Sequence, residues 1–162
     1  MRVVALDLGK QRVGVAVSDS GGLVAVPSTT LVRTGDGVRD RARVVEEIRD
    51  LGAERVVVGL PLSLDGSEGP AAAWARTEAA ALAEALPGVE VELYDERLTT
   101  VSAQRSLAAA GVKGKNRRRV VDQVAAAVLL QAWLDGGWGL DGAPGLVRRR
   151  GIDGGRGTGT GG

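Results

Sequence analysis

Acidic residues occupy three places in this sequence where a carboxylate is unfavourable unless it has a partner. The first is Asp7, which stands between Leu6 and Leu8 inside an apolar run that predicts a buried strand. A buried carboxylate costs several kcal/mol unless it is ion-paired or bound to a metal. We therefore expect Asp7 to bind a divalent cation; the alternative is that it accepts hydrogen bonds from the turn at residues 9–12.

Asp122 lies in a segment with helical periodicity, and its side of that helix is otherwise apolar. Residues four, seven and eleven positions later share its face, namely Ala126, Leu129 and Trp133. A solvent-exposed face would carry polar residues there, so we expect Asp122 to point towards the core. The alternative is a partly buried ion pair with Arg118 or Arg119, one helical turn earlier.

Asp95 and Glu96 follow directly after the strand predicted at residues 89–94. Adjacent strand residues point to opposite faces, so at most one of the two acids should face the site. Glu96 continues the alternation of Glu90 and Glu92, which predicts that Glu96 faces solvent and that Asp95 faces inward. Register often changes where a strand ends, however, and an acid at this position could equally cap the following helix.

The amino acid inventory limits the chemistry that these acids can support. The chain has no histidine and no cysteine, which excludes Ser-His-Asp and Cys-His catalysis, disulfides and the usual zinc sites. Carboxylate oxygens favour Mg²⁺ or Mn²⁺, and Mg²⁺ commonly works together with phosphate oxygens. If the three acidic positions converge, two ions about 4 Å apart would activate a water molecule and stabilise the departing oxygen of a phosphodiester.

A basic run is the candidate for contacts with phosphates. It spans residues 113–119 and carries five cations, Lys113, Lys115, Arg117, Arg118 and Arg119. Such runs are often merely solvated, but this one precedes Asp122 in the sequence, and we expect it to hold phosphates. Three Trp, one Tyr and no Phe leave few rings for base stacking, so recognition of a nucleic acid should depend on its backbone and shape.

The loop at residues 59–69 lacks the Gly-Lys-Ser/Thr ending of a nucleotide-binding P-loop, which excludes ATP binding through that motif. It follows a predicted parallel strand, and α/β proteins usually build their sites at the carboxyl ends of such strands. We therefore expect the loop to line a substrate groove through Pro61, Ser63, Asp65 and Gly66. An ordinary strand-to-helix connection capped by Ser67 would explain the loop equally well.

Hydrophobic periodicity predicts an α/β fold with the element order βββαβαβαα. Strands are predicted at residues 2–8, 12–19, 23–32, 55–60 and 89–94. Helices are predicted from a cap at Thr34 or Asp36 to Gly52, at residues 71–86, from a cap at Thr99 or Thr100 to residue 110, and at residues 117–134. The order implies a mixed five-stranded sheet, with an antiparallel first hairpin and then parallel strands, flanked by helices.

Length and composition predict one globular domain at residues 1–138, since 162 residues with 44% hydrophobic content can bury one core. Residues 139–162 hold ten glycines and four arginines, which predicts a flexible Gly/Arg-rich tail. The formal net charge is +1, so any basic surface must be local. The sequence has no signal-peptide pattern and no stretch of ~20 apolar residues, which predicts a cytoplasmic protein without membrane contact.

Four motifs, in their order and spacing, resemble the YqgF/RuvX family. They read ALDLGKQRVGVAVSD, GLPLSLDGSEG, DERLTT and VDQVAAAVLLQ, and the resemblance covers about residues 1–136. Each motif is modest alone, since Asp-x-Gly hairpins also open sugar kinases and actin-like ATPases, but four in series are highly specific. The Gly/Arg-rich tail lies outside the resemblance.

The resemblance implies an RNase H-like fold and a set of catalytic acids. The family's acids correspond to Asp7, Glu96 and Asp122, which would bind two Mg²⁺ or Mn²⁺ ions. On resemblance, Glu96 therefore replaces Asp95 in the expected site. Family members are described as nucleases that mature the 5′ end of pre-16S ribosomal RNA or as Holliday junction resolvases.

The expected function is that of a metal-dependent endonuclease, a hydrolase of phosphodiesters in structured nucleic acid, with pre-16S rRNA processing in ribosome biogenesis favoured. Branched DNA is the alternative substrate. A junction resolvase acting in recombination or repair would favour a homodimer over a monomer, because it must present two sites to symmetric strands. A ribosome-assembly factor that binds nucleic acid without cutting it is a further alternative, and its binding would depend on salt.

Overall fold

The structure is a computed structural model that describes residues 1–101 and 115–136, with side chains in the second range described from residue 119 onward. These residues contain five strands, β1 Val3–Leu8, β2 Arg12–Ser18, β3 Ala25–Val32, β4 Arg55–Leu60 and β5 Glu90–Asp95. The described helices are α1 Gly37–Asp50, α2 Pro70–Ala85 and α3 Lys115–Asp135, and a 3₁₀ turn spans Glu96–Leu98. Each predicted strand is present within two residues of its predicted bounds.

The strands form one mixed sheet in the order β3-β2-β1-β4-β5. β2 pairs antiparallel with β1 and with β3, and β4 pairs parallel with β1 and with β5. This confirms the predicted antiparallel hairpin followed by parallel strands. The carboxyl ends of β1, β4 and β5 consequently meet at one edge of the sheet, and β2 begins at that same edge.

Helices cover both faces of the sheet, which explains the nearly continuous apolar sequences of β1 and β4. One core cluster joins one face to α1 and α2 and includes Val4, Leu6, Val56, Val58, Ile48 and Leu82. The other cluster joins the opposite face to α3 and includes Val3, Ala5, Ala16, Val57, Leu129 and Trp133. Because side chains alternate along β1, Asp7 lies on the α3 face together with Val3 and Ala5.

The ends of α1 and α2 follow from local capping chemistry. Asp36 caps α1, since its carboxylate accepts hydrogen bonds from two main-chain N–H groups of the first turn. Gly52, beyond the other end of α1, has a φ of +66°, as expected for a residue that ends a helix. α2 begins after Gly69, with Pro70 as its first residue and without a side-chain cap. The alternative prediction that Ser67 caps this helix is therefore wrong.

The remaining predictions concern α3 and parts of the chain outside the described residues. α3 begins at Lys115, two residues before the predicted start, so the basic run is helical from Lys115 onward. The helix predicted up to residue 110 lies outside the described residues apart from Val101. The domain boundary at residue 138 and the tail at residues 139–162 also lie outside and stay predictions. None of the helices in residues 1–101 and 115–136 is long and apolar enough to cross a membrane.

Candidate active site

Asp7 is the second-to-last residue of β1 and stands at the carboxyl edge of the sheet. The residue is only 5% exposed. Its partner across the β1-β2 pair is Gly14. Directly opposed residues of an antiparallel pair have Cα atoms about 4.5–5.5 Å apart and present the same face. A group that contacts Gly14 on the α3 face therefore lies beside Asp7.

Helix α3 approaches the sheet most closely at Gly14. A Cβ atom added to Gly14 would overlap the main-chain carbonyl of Asp122 and would lie 3.3 Å from the Asp122 Cβ. Any residue with a side chain would prevent this approach, so glycine is required here. The contact places Asp122 against the strand position opposite Asp7.

Glu96 is the first residue of the 3₁₀ turn after β5 and is also 5% exposed. A Cβ added to Gly59 of β4 would lie 2.7 Å from Glu96 Oε1 and 3.2 Å from Leu129 Cδ2 of α3. Gly59 therefore leaves room for the Glu96 carboxylate between β4 and α3. Because β4 pairs directly with β1, this carboxylate lies above the strand next to Asp7.

The face of β5 that carries the glutamates is covered by α3. Glu92 is 4% exposed, lies 3.0 Å from Arg55 Nη1 and accepts a hydrogen bond of 3.2 Å from Trp133 Nε1. The alternation argument placed Glu96 on a solvent-exposed face, and this is wrong because α3 covers that face, where the ion pair with Arg55 allows Glu92 to be buried. Glu96 shares the α3 face with Asp7.

Asp95 caps the 3₁₀ turn instead of facing inward. Its carboxylate accepts a 2.9 Å hydrogen bond from the Arg97 main-chain N–H and a 2.7 Å hydrogen bond from Arg97 Nη2. These contacts with the guanidinium hold the pKa of Asp95 below its usual value. The capping interpretation of Asp95 is therefore confirmed, and the cap fixes the turn that begins with Glu96.

Asp122 forms an ion pair with Arg12, the first residue of β2. The distance from Arg12 Nε to Asp122 Oδ2 is 2.6 Å, and each side chain is 22% exposed. The sequence suggested Arg118 or Arg119 as the partner, whereas the described pair joins residues 110 positions apart. The Arg12 guanidinium lies at the edge of the sheet where β1 ends.

The three acids fit a hard divalent cation by their chemistry. All of them offer carboxylate oxygens, and all lie on the α3 side at one edge of the sheet. Among the residues that the structure describes, however, no three acidic groups stand close enough together to hold a metal ion. The Asp122 carboxylate is paired with Arg12.

The predicted phosphate-binding residues are described only in part. Lys113 lies outside the described residues. Three of the cations lie in the first turns of α3, namely Lys115, Arg117 and Arg118. Their side chains are outside the described part of the chain. Arg119 is exposed, and its carbonyl accepts a 2.7 Å hydrogen bond from Thr30 Oγ1 of β3. Lys115, Arg117, Arg118 and Arg119 therefore share a helix with Asp122, and the contact of the basic run with phosphates stays a prediction.

The loop after β4 lies against Arg97, the residue that follows Glu96. Gly66 in this loop has a φ of +84°, and a Cβ there would lie 3.4 Å from Arg97 Nη1. A hydrogen bond from the Ser67 hydroxyl lowers the pKa of the exposed Asp65. The loop is thus placed beside the candidate site, and its predicted role in lining a substrate groove stays a prediction for Pro61, Ser63, Asp65 and Gly66.

Three residues of this site were not found from the sequence: Arg12, Gly14 and Gly59. A single glycine within an apolar strand is a signal of close approach by another part of the chain. Both glycines stand in such strands, in the segments RVGVAV and VVVGL, so this signal was present. Arg12 carries no comparable signal, because nothing in the sequence indicates that its partner lies 110 residues away.

The sheet order, the helices on both faces and the acids at one edge define an RNase H-like fold, as predicted. A solved structure with this fold is "T. thermophilus RuvC in complex with Holliday junction substrate". It superposes with a TM-score of 0.56 at 19% sequence identity, over 85% of this chain and 97% of that chain. The fold is therefore that of RuvC.

The profile of the family described as "RuvX: Holliday junction resolvase" matches residues 1–136. The chain belongs to the RuvX family, which confirms the resemblance found in its four motifs. A relative from Kineococcus radiotolerans is 53% identical over 132 residues, which are 82% of this chain and 70% of the relative. A relative from Anaeromyxobacter dehalogenans is 49% identical over 135 residues, which are 83% of this chain and 97% of the relative. Both are named "Putative pre-16S rRNA nuclease", and family and fold together support a nuclease.

Proposed function

We propose that the chain is a metal-dependent endonuclease that hydrolyses phosphodiesters in structured nucleic acid, and that its substrate is the 5′ region of pre-16S ribosomal RNA. The observation that carries this proposal is the position of three acids on one face and at one edge of an RNase H-like sheet, Asp7, Glu96 and Asp122. The names of both relatives favour the RNA substrate. A role in ribosome biogenesis agrees with the predicted cytoplasmic location, which stays a prediction.

The chain's own residues would hold the reacting groups in fixed positions. Asp7 lies on a strand that is buried on both faces, and Glu96 lies in a turn that Asp95 caps. Neither carboxylate has to be ordered when substrate binds, which lowers the barrier to reaction. Mg²⁺ or Mn²⁺ at these carboxylates would supply Lewis-acid stabilisation of the phosphodiester and would lower the pKa of an attacking water molecule. Because the chain has no histidine, a carboxylate oxygen or bulk water would take up the proton.

The basic run would hold the backbone of the substrate. Arg119 precedes Asp122 by three positions, roughly one turn of α3. A phosphate bound at the start of this helix would bring a neighbouring phosphodiester towards the acids. Contacts with phosphates carry no sequence information, so selection of the substrate would depend on the shape of the folded RNA. The residues proposed for this role are Lys113, Lys115, Arg117, Arg118 and Arg119.

Holliday junction resolution is the second candidate function. The family's description and the fold shared with a RuvC bound to a junction both favour it. A resolvase has to cut two strands related by symmetry, so it would act as a homodimer with two equivalent sites. A processing nuclease can act as a monomer, and the oligomeric state of the active species therefore helps to separate the two functions.

The two substrates should be tested side by side with the same protein. A precursor RNA segment carrying the 5′ end of 16S rRNA and a four-way DNA junction are each incubated with the chain in Mg²⁺, Mn²⁺ or EDTA. The test variant is Asp7→Asn, which removes the charge with little change in volume. Asp50→Asn is the matched control, because Asp50 is exposed at the end of α1 on the other face of the sheet.

The expected result is metal-dependent cleavage of the RNA that Asp7→Asn loses and Asp50→Asn keeps, with unfolding midpoints close to that of the wild type. Symmetric cleavage of the junction would favour the resolvase instead. Cleavage that Asp7→Asn retains would contradict the role of the three acids. Cleavage of neither substrate, together with salt-dependent binding that survives Asp7→Asn, would favour a ribosome-assembly factor without catalysis.

A further inference from the structure

The ion pair between Arg12 and Asp122 occupies one of the three acids proposed to bind metal. The contact from Arg12 Nε to Asp122 Oδ2 is 2.6 Å, a short charge-assisted hydrogen bond. Both side chains are 22% exposed, so a solvent-borne cation or a substrate can reach the pair. The Arg12 guanidinium and a metal ion would both bind the negatively charged oxygen of the Asp122 carboxylate. They would therefore compete for it.

The main chain at Asp122 is held against β2. The Asp122 carbonyl lies against Gly14, where no Cβ would fit, so α3 cannot shift easily along β2. The residue opposite Gly14 in β1 is Asp7, so Asp7 lies beside the strand position that the Asp122 main chain contacts. In the described residues, the acids do not form a group that could hold a metal ion, and the Asp122 carboxylate faces Arg12.

We propose that Arg12 is an exchangeable partner of Asp122. In the metal-free chain Arg12 neutralises the Asp122 carboxylate; a divalent cation displaces Arg12, and the released guanidinium binds a phosphate of the nucleic acid. This inference rests on the proposed metal-dependent nuclease function and adds a positioning and substrate-binding residue to it. Because Arg12 and the cation compete, substrate phosphate that draws Arg12 away also strengthens cation binding, and the two ligands bind cooperatively.

The first test measures cation binding without any nucleic acid. Mn²⁺ is titrated into the full chain, and the remaining free Mn²⁺ is followed by electron paramagnetic resonance. The variants are Arg12→Gln and, as a control with the same change of charge, Arg39→Gln on α1, which is exposed. Arg12→Gln should bind Mn²⁺ about threefold to fivefold more tightly than the wild type, in the range of a partly exposed ion pair. Arg39→Gln should stay within about twofold.

A double-mutant cycle separates direct competition from the general loss of positive charge. In an Asp122→Asn background, Arg12 has lost its ion-pair partner. Arg12→Gln should then change the Mn²⁺ affinity no more than Arg39→Gln does. Arg12→Lys is the second variant, which keeps the charge and guards against poor folding of Arg12→Gln. Its Mn²⁺ affinity should lie between those of the wild type and Arg12→Gln. Thermal melts monitored by circular dichroism show which variants are folded.

The second test concerns the phosphate contact of the released guanidinium. Binding of a fluorescent four-way DNA junction is measured by anisotropy, once in EDTA and once in Ca²⁺. In EDTA, where Arg12 is engaged by Asp122, Arg12→Gln should bind within about twofold of the wild type. In Ca²⁺ Arg12→Gln should bind the junction several-fold more weakly than the wild type. The slope of log K against log salt should then be smaller by about 0.9, which corresponds to one lost phosphate contact.

The outcomes distinguish this inference from the proposed function. If the wild type binds Mn²⁺ and Arg12→Gln binds it equally or more weakly, the exchange is overturned while the metal-dependent nuclease stands. If neither protein binds Mn²⁺, the metal-dependent nuclease itself fails, and the exchange fails with it. If Arg12→Gln loses the same junction affinity in EDTA as in Ca²⁺, the exchange of Arg12 for a cation is also overturned. Arg12 would then contact phosphates even while it is paired with Asp122.

Discussion

A glycine at position 59 controls how deeply one acid can enter the layer between β4 and α3. The Glu96 carboxylate occupies the space that a side chain at Gly59 would fill, with Glu96 Oε1 2.7 Å from the position of an added Cβ. The atom in conflict is the end of a flexible side chain, so it can move away. The fold can therefore tolerate a methyl group here at the expense of the position of Glu96.

Gly59→Ala should consequently reduce both the rate of cleavage and the stability of the fold. We expect a loss of about tenfold or more in kcat, because displacing a positioned group by about 1 Å can lower the rate by two orders of magnitude. The free energy of unfolding should fall by about 1–3 kcal/mol. Urea denaturation and single-turnover cleavage measure the two effects. Gly37→Ala is the control, since an added Cβ at Gly37 meets no atom within 4 Å; full activity in Gly59→Ala would contradict the placement of Glu96.

At the scale of the elements, a buried polar contact ties α3 to β5. Trp133 Nε1 donates to Glu92 Oε2 at 3.2 Å, and Arg55 Nη1 lies 3.0 Å from the same oxygen. Arg55 Nε is buried without a hydrogen-bond partner among the described atoms. The same face of α3 that carries this contact also carries Asp122, three turns earlier in the helix. The contact therefore helps to set which residues of α3 face the sheet.

Trp133→Phe tests this contact by removing the donor and keeping an aromatic ring. The free energy of unfolding should fall by about 1–3 kcal/mol, because a buried acceptor loses one of its bonds. Glu90→Gln is the comparison: Glu90 also pairs with Arg55 but is 58% exposed, and its loss should change stability by less than about 1 kcal/mol. Both values come from urea denaturation at neutral pH. Equal losses in the two variants would show that burial does not strengthen the Trp133 contact.

The Asp40 carboxylate of α1 holds the connection between β3 and α1, which makes this connection sensitive to pH. Asp40 is 8% exposed and accepts hydrogen bonds from the Thr34 N–H at 2.9 Å, the Thr34 hydroxyl at 2.8 Å and the Gly35 N–H at 3.3 Å. The Thr34 N–H makes the largest contribution to lowering the pKa of Asp40 below its ordinary value of 3.8. The charged form therefore stabilises the folded chain.

Asp40→Asn should be less stable than the wild type at pH 7, and the difference should shrink in acid. The stabilisation from a lowered pKa is complete above the unfolded value of about 4 and is lost as the pH falls through the lower folded value. Urea midpoints at pH 7, 4 and 3 measure this convergence. A constant difference for Asp40→Asn across this range would contradict the assigned cause.

At the scale of the whole molecule, local patterns predicted the elements and their pairing better than the contacts between them. The hairpin and the parallel strands follow from turn residues, apolar runs and intervening helices, all of which are local in sequence. The face of Glu96 was predicted wrongly because alternation says which residues share a face but not what covers that face. The pairing of Arg12 with Asp122 and the contact of Gly14 with α3 depend on chain segments more than 100 residues apart. Only the packed structure specifies them.

Nucleic-acid binding is also a property of the whole molecule, because the net charge of +1 provides no general attraction for phosphates. Binding must then come from the local basic run, and Arg118→Gln combined with Arg119→Gln should weaken it for RNA and DNA alike. The slope of log K against log salt should fall by about 0.9 per lost contact on duplex DNA and about 0.7 on single strands.

The matched control for this prediction removes two exposed charges elsewhere, with Arg2→Gln and Arg39→Gln. Both double variants have the same net charge, so a general electrostatic effect would lower both slopes equally. A fall confined to the Arg118 and Arg119 variant would assign the phosphate contacts to the start of α3, one turn before Asp122. Equal slopes of log K against log salt for the two double variants would instead mean that the start of α3 does not bind the substrate backbone. The backbone would then approach the acids along another surface of the protein.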